Sequence, residues 1–240
     1  MRRLVLAGGA ALAVSAHAWA GPPYVTDDPE PTDRGRWEIY NFAGGLHVRD
    51  ETTGEAGLDL NYGAAQDLQL TMVVPAAYDR SAVGMGVVEL AAKYQIMHER
   101  DGSWRPSVAI FPRIFAPTAK ARFASTHPNL LLPVWVGKGF GGWTLFGGGG
   151  YQLNPGAGNR DFWTGGLALT RSLGERLSLG GEVYHHARDA DDAAAFTGVN
   201  LGVTYRLGQN WSLLGAGGPG VQNAGREGRY AFYVALKADY

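Results

Sequence analysis

Apolar side chains recur at every second position in short stretches along most of this chain. That period admits extended strands with one covered face and little else. The last stretch is the clearest. Phe232, Val234, Leu236, Ala238 and Tyr240 fall on one face of an extended segment, and Ala231, Tyr233, Ala235, Lys237 and Asp239 on the other. A strand that stops on an outward aromatic residue looks like the closing strand of a bacterial outer-membrane β-barrel. On this reading Phe232, Val234, Leu236 and Tyr240 carry the signal read by the barrel-assembly machinery.

Period-2 segments bounded by turn residues number twelve, at residues 36–48, 56–64, 68–78, 85–97, 104–116, 129–140, 143–153, 161–172, 177–186, 196–207, 211–218 and 229–240. An even number brings both ends of a single-chain bacterial barrel to one side. The links alternate between tight and loose. Residues 65–67, 141–142, 173–176 and 208–210 are tight and 98–103 somewhat longer, whereas 49–55, 79–84, 117–128, 154–160, 187–195 and 219–228 are longer, polar or irregular. The tight set reads as periplasmic turns and the loose set as outward loops, so the expected fold is all-β, a single antiparallel transmembrane barrel of twelve strands.

The start of the chain fits export. Arg2 and Arg3 precede an apolar run from Leu4 to Val14, and Ala18-Trp19-Ala20 fits the small-x-small cleavage rule. Residues 1–20 are therefore expected to be a cleaved signal peptide, residues 21–34 a periplasmic leader and residues 35–240 the barrel. The apolar run is too short for a spanning helix, which needs roughly 20 apolar residues, and no later segment is longer. A helical membrane protein is excluded. The low mean hydropathy suits a barrel, in which each lipid-facing residue alternates with one facing the lumen.

Composition agrees. The chain has 36 Gly, 7 Trp, 11 Tyr and 9 Phe, and no Cys, so no disulfide framework supports it and stability must come from sheet closure and lipid burial. Runs such as Gly147–Gly150 weaken a strand yet allow sharp coiling of a wall. No Lys-Ser/Thr pair or helical pattern follows them, which removes a phosphate loop. A net charge of -1 gives no reason to expect a nucleic-acid partner.

Where alternation is clean, each residue can be given a face. Leu58, Leu60 and Tyr62 go to lipid with Asp59 and Asn61 inward, and Val88, Leu90, Ala92, Tyr94 and Ile96 to lipid with Glu89, Lys93 and Gln95 inward. Leu177, Leu179 and Val183 oppose Glu182, Tyr184 and His186, and Val199, Leu201, Val203, Tyr205 and Leu207 oppose Asn200, Thr204 and Arg206. The expected lumen lining is Asp59, Asn61, Glu89, Lys93, Arg113, Glu182, Tyr184, Asn200, Arg206 and Lys237. Discrimination among solutes is expected of Glu89, Lys93, Arg113, Glu182 and Arg206. For 129–140 and 143–153 both faces are apolar or glycine and the phase stays open.

Catalytic and metal chemistry finds little footing. A Ser nucleophile on a strand favours a His two residues away, and none of His47, His98, His127 or His185 has one. His185 and His186 point to opposite faces and cannot easily share a metal. The acidic groups Asp27, Asp28, Glu30 and Asp189, Asp191, Asp192 lack the spacing of a calcium loop. No catalytic residue, metal or cofactor is expected. The leader, with Tyr24 and the carboxylates Asp27, Asp28, Glu30 and Asp33, reads either as a flexible arm or as a plug that pairs with luminal Lys or Arg.

The segments GPPYVTDDPEPTDRGRWEIYNF, LDLNYGAAQDLQLTMVVP, VVELAAKYQI, LLLPVWVGKGFGGWTLFGGGGYQLNPG, LSLGGEVYHH and VNLGVTYRLGQNWSLLGAGG together cover nearly the whole mature chain. They resemble the outer-membrane proteins grouped under the meta-pathway of phenol degradation. The resemblance implies an outer-membrane barrel for passage of small, often aromatic, molecules, and carries no catalytic motif. The reading is therefore a non-enzymatic barrel for passive or facilitated passage of small molecules, hydrophobic or aromatic ones among them. Its partners are outer-membrane lipid and lipopolysaccharide, the assembly machinery and the solute. The alternatives are a closed structural or surface-interaction barrel and a lipid-modifying outer-membrane enzyme.

Overall fold

A computed structural model of the chain describes residues 23–48, 50–119, 127–225 and 230–240. The expected signal peptide at residues 1–20, most of the loop at 117–128 and residues 226–229 of the last link lie outside the described residues. The extended segments are β1 Trp37–Val48, β2 Glu51–Ala65, β3 Leu68–Tyr78, β4 Val83–Met85, β5 Val88–Met97, β6 Ser107–Ile110, β7 Arg113–Ala116, β8 Asn129–Phe140, β9 Trp143–Leu153, β10 Phe162–Leu173, β11 Leu177–His186, β12 Phe196–Arg206, β13 Trp211–Gln222 and β14 Tyr230–Asp239.

These segments build a closed antiparallel barrel of twelve wall strands. Closure is made by β1 and β14, whose pairing runs from Glu38↔Asp239 to His47↔Tyr230. Beyond that ladder, Trp37 and Tyr240 exchange both backbone hydrogen bonds, at 2.9 and 3.0 Å. Two short segments add to the twelve for local reasons. β6 and β7 form one wall strand, in a single register against β8 and, apart from a bulge between Gln95 and Met97, against β5, interrupted where Pro112 supplies no N–H to the ladder. β4 is the outer end of the strand expected at 85–97, set one residue out of step opposite Pro75.

The tight turns sit where turn chemistry demands them. Asp67 (φ 63°) bends the β2–β3 connection, and Gly141 and Gly142 (φ 59° and 81°) give the β8–β9 hairpin the two left-handed residues of a type I′ turn. Two expected loops are shorter than their composition suggests. The β1–β2 ladder continues to Val48↔Glu51, so most of 49–55 is strand, and β13 runs to Gln222 through Pro219. Lipid-facing alternation ends there, but backbone pairing continues into water because the ladder does not need apolar side chains.

The outer surface carries the apolar residues. Leu90, Tyr94, Ile96, Leu179, Val183 and Val203 are exposed, and Leu201 is 74% so. Aromatic residues edge this belt: Trp37 packs on Tyr62 (4.7 Å between ring centroids) and Trp211 on Tyr240 (6.5 Å) at the turn end, Tyr151 on Trp163 (5.1 Å) towards the loops. An apolar band between aromatic girdles around a polar interior is the arrangement of a bacterial outer-membrane barrel. That is where this protein resides. The structure also fixes the phase of β8 and β9: Leu132, Val134, Val136 and Leu145 face outward, and Leu131, Trp135 and Phe146 are buried inside.

Candidate functional site

The lumen is polar because inward positions alternate with the lipid-facing ones. Asp59, Asn61, Lys93, Arg113, Tyr184, Asn200, Arg206 and Lys237 line a cavity of about 2240 Å³. Glu89 lines a smaller cavity of about 340 Å³ towards the loop end. Glu182 is inward and 3% exposed. All ten residues expected in the lumen therefore lie on the inner face.

Within this lumen runs the leader, described from residue 23 to residue 34. At its start the Tyr24 ring meets Phe146 of β9 edge-on at 6.1 Å and lies against Gly180 and Gly202. The Glu182 carboxylate accepts hydrogen bonds from the backbone N–H of Val25 (3.0 Å) and Thr26 (2.9 Å) and from the Asn200 amide (2.8 Å). Asp27 pairs with Lys93 Nζ at 2.9 Å, with Asp28 at 3.8 Å from the same ammonium. Gln95 donates to Glu30 (3.1 Å), and Gln69 accepts from the backbone and hydroxyl of Thr32 (2.8 and 3.0 Å). Arg34 then bridges Gly63, where a Cβ would collide with the Asp33 carbonyl. The segment thus crosses from β11–β12 to β2–β3 in the turn-side half of the barrel.

This course explains the open phase of β8 and β9. Their inner face is apolar because it meets chain rather than water. Pro29 packs within 2.9 Å of where a Cβ on Gly137 would stand, and Tyr24 covers Phe146. Long-range covering of that kind leaves no period in the sequence. The local hint lay in the leader itself, whose Tyr24 and carboxylates read as a plug among their alternatives, and in the buried amides of Gln69 and Gln95, which must find partners.

Most luminal charges are engaged. Arg113 forms a two-point bond to Glu89 (2.7 and 3.0 Å), and Lys237 contacts Glu38 (3.2 Å) and Asp239 (2.9 Å). Four of the five residues expected to select solutes, Glu89, Lys93, Arg113 and Glu182, are thus held by the protein's own groups. Asp28 is buried deepest among the leader carboxylates. Burial pushes it up to about 7, with the nearby Asp27 adding to the rise and Lys93 opposing it.

The described histidines lie near the loop end or on the rim. His47 Nδ1 contacts Thr52 Oγ1 at 3.0 Å and His185 Nδ1 contacts Thr197 Oγ1 at 2.8 Å, both across neighbouring strands. A search along one strand overlooks such pairs. Thr197 donates its hydroxyl proton to Gln222 (2.7 Å), so it accepts from His185 and is not activated by it. His186 packs at a tilt on Phe162, with 4.3 Å between ring centroids, on the opposite face from His185. Among the described residues no three His, Asp or Glu are grouped to hold a metal.

A family model described as "Putative MetA-pathway of phenol degradation" matches residues 14–236. No curated protein matches the chain in sequence. Among solved structures, the fold is similar to an outer membrane channel from Pseudomonas putida F1, with a TM-score of 0.69, 13% identity, and 89% of this chain and 98% of that one covered. Outer membrane phospholipase A from Escherichia coli aligns with a TM-score of 0.49, 11% identity and coverage of 90% and 92%. The outer membrane protein OprD from Pseudomonas aeruginosa aligns with a TM-score of 0.42, 10% identity and coverage of 90% and 97%.

Proposed function

The chain belongs to the family described as that of the MetA-pathway of phenol degradation, and on that premise we propose that its barrel is an outer-membrane channel for small molecules. Hydrophobic and aromatic solutes are among those it passes, down their gradients and without a cofactor. The observation that carries this reading is the cavity of about 2240 Å³, whose lining runs from Glu175 and Arg176 at the turn end to Asp189 and Ala194 at the loop end. A barrel of about eight strands is filled by its own side chains and one of sixteen or more leaves a water channel, and twelve lies between. The likeness in fold to the Pseudomonas putida channel supports the same reading.

The leader would set the width of that path. With the start of β1 and the end of β14 beside the tight turns, the leader joins the wall on the periplasmic side and narrows the inner half. Planar-bilayer conductance and liposome swelling with phenol-sized solutes test the proposal. Discrete conductance steps and solute-dependent swelling are expected, with larger steps after deletion of residues 24–33. No flux from either the whole or the shortened protein overturns the channel and favours a closed, surface-interacting barrel.

A further inference from the structure

Beside the leader, around mid-height of the lumen, neighbouring strands present different chemistry. On β1 and β14 the side chains are aromatic. Tyr40 is buried beside Leu214 and Ala235, and Phe42 stacks on Tyr233 with 6.1 Å between ring centroids and 14° between planes. On β2 the inward residues in register with them are Asp59, directly opposite Tyr40, and Glu55, opposite Gly44, with Gly57 opposite Phe42. The two carboxylates therefore flank a side-chain-free position and stand beside the aromatic side chains of the neighbouring strands. Asp59, Glu55, Tyr40 and Tyr233 all line the large cavity.

These carboxylates differ from the other luminal charges. Lys93 is held by Asp27, Arg113 by Glu89, and Lys237 by Glu38 and Asp239. Asp59 takes a hydrogen bond from the Asn61 amide at 2.8 Å. Among the described residues, no ammonium or guanidinium stands within 4.0 Å of Asp59 or Glu55. The aromatic faces already accept cations where the chain supplies them: Lys237 Nζ lies 5.5 Å from the Tyr40 ring centroid, and Lys93 Nζ 4.9 Å from that of Phe111. Arg113, bound to Glu89, also acts electrostatically on Asp59, but it makes no ion pair with either carboxylate. Beside aromatic side chains on the neighbouring strands and lining the large cavity, Asp59 and Glu55 form a site for a positively charged solute with an apolar body.

We propose that this chamber binds and passes organic cations, such as aromatic amines and quaternary ammonium compounds, in preference to aromatic carboxylates. Asp59 and Glu55 supply the charge preference, and Tyr40 and Tyr233 the surface against which the solute rests. The proposal rests on the channel reading for passage, while binding in the chamber stands without it. An aromatic carboxylate would meet Asp59 and Glu55 with like charge, and Lys93, Arg113 and Lys237 are already paired with carboxylates of the protein.

The test uses benzyltrimethylammonium and benzoate as matched probes at pH 7.5. In bilayers, reversal potentials in salt gradients are expected to favour potassium over chloride, and benzyltrimethylammonium over benzoate. The double variant Glu55→Gln with Asp59→Asn should lower both ratios by roughly threefold or more. Tyr233→Leu should weaken benzyltrimethylammonium binding while leaving the potassium-to-chloride ratio as it was. Equal or preferential passage of benzoate, or an unchanged double variant, overturns the proposal. Calorimetric titration of the detergent-solubilised barrel supplies the second reading. If no ion passes at all, the channel reading fails, yet binding of the cation that is lost in the double variant still upholds the chamber, and equal binding of benzoate overturns it. Should the double variant not reach its heat-modifiable folded form, Glu55→Gln alone carries both measurements.

Discussion

Lys93 Nζ stands 2.9 Å from Asp27 Oδ1, and this contact ties the barrel wall to a segment 66 residues earlier that runs inside it. The ammonium is almost fully buried, as is Asp28 beside it. Breaking a buried pair by removing one partner leaves an uncompensated charge and costs about 3–5 kcal/mol. Lys93→Met should therefore release the leader while the barrel stays closed. Faster proteolysis within residues 23–33, with heat-modifiable gel mobility retained, is the expected result; unchanged cleavage would show that the ion pair does not hold the leader.

The docked leader should also respond to pH. Asp28 is pushed up to about 7 by burial, above the ordinary carboxylate value that it regains when the segment leaves the lumen. The docked state therefore binds the extra proton across the window from about pH 4 to about pH 7. Docking is strongest at the acid end of that window, weakens as the pH rises through it, and levels off above it. Leader cleavage or channel conductance should rise from pH 4.5 to pH 7.5 in the native protein. Asp28→Asn should flatten that part of the profile.

Glycine at position 202 gives the Tyr24 ring its seat. A Cβ there would stand 2.6 Å from the ring atoms, close enough that the ring has to move. Gly202→Val should displace Tyr24 from Phe146 and free the start of the leader without breaking the β11–β12 ladder. Larger single-channel steps with unaltered strand content by circular dichroism would bear this out.

Leu201, at the middle of β12, is the most lipid-exposed of the large apolar side chains on its strand. An arginine at the bilayer midplane of a barrel costs roughly 2–4 kcal/mol. Leu201→Arg should lower the stability of the vesicle-inserted barrel by about that amount in reversible urea unfolding. The inward neighbour Asn200 offers the contrast. Its amide serves Glu182, so Asn200→Leu should act on leader docking instead.

Tyr240 packs on Trp211, and its backbone pairs with Trp37 at the turn end. Replacing the ring leaves that pairing intact. If the outward aromatic residue is the feature that assembly machinery reads, Tyr240→Ala should reduce the amount of barrel in the outer membrane without lowering the stability of the refolded protein. Equal amounts of variant and native protein in membrane fractions would remove that role from Tyr240.

Much of this architecture was legible because it is local. On β5 and β11 each lipid-facing side chain has a luminal neighbour, so Glu89, Lys93, Glu182 and Tyr184 could be placed on the inner face from period alone. Local signals fail where one feature serves two purposes. Residues 51–55 look like part of a loop because their lipid-facing alternation stops, yet their backbone remains paired. Pro112 looks like one position in a strand, yet it divides the strand into two. The cross-strand contact of His185 with Thr197 depends on register, which no single strand contains.

By itself, the sequence determined an antiparallel barrel, the faces of its regular strands and the kinds of side chain in its lumen, because a period of two is imposed residue by residue by backbone geometry. The tertiary structure alone decided which of those luminal groups find partners. The leader lies across β8 and β9, Lys93 is neutralised by Asp27, Glu182 by backbone N–H groups, and Asp59 and Glu55 are left beside aromatic side chains. Those outcomes depend on contacts between residues far apart in the chain, brought together only when β1 closes on β14.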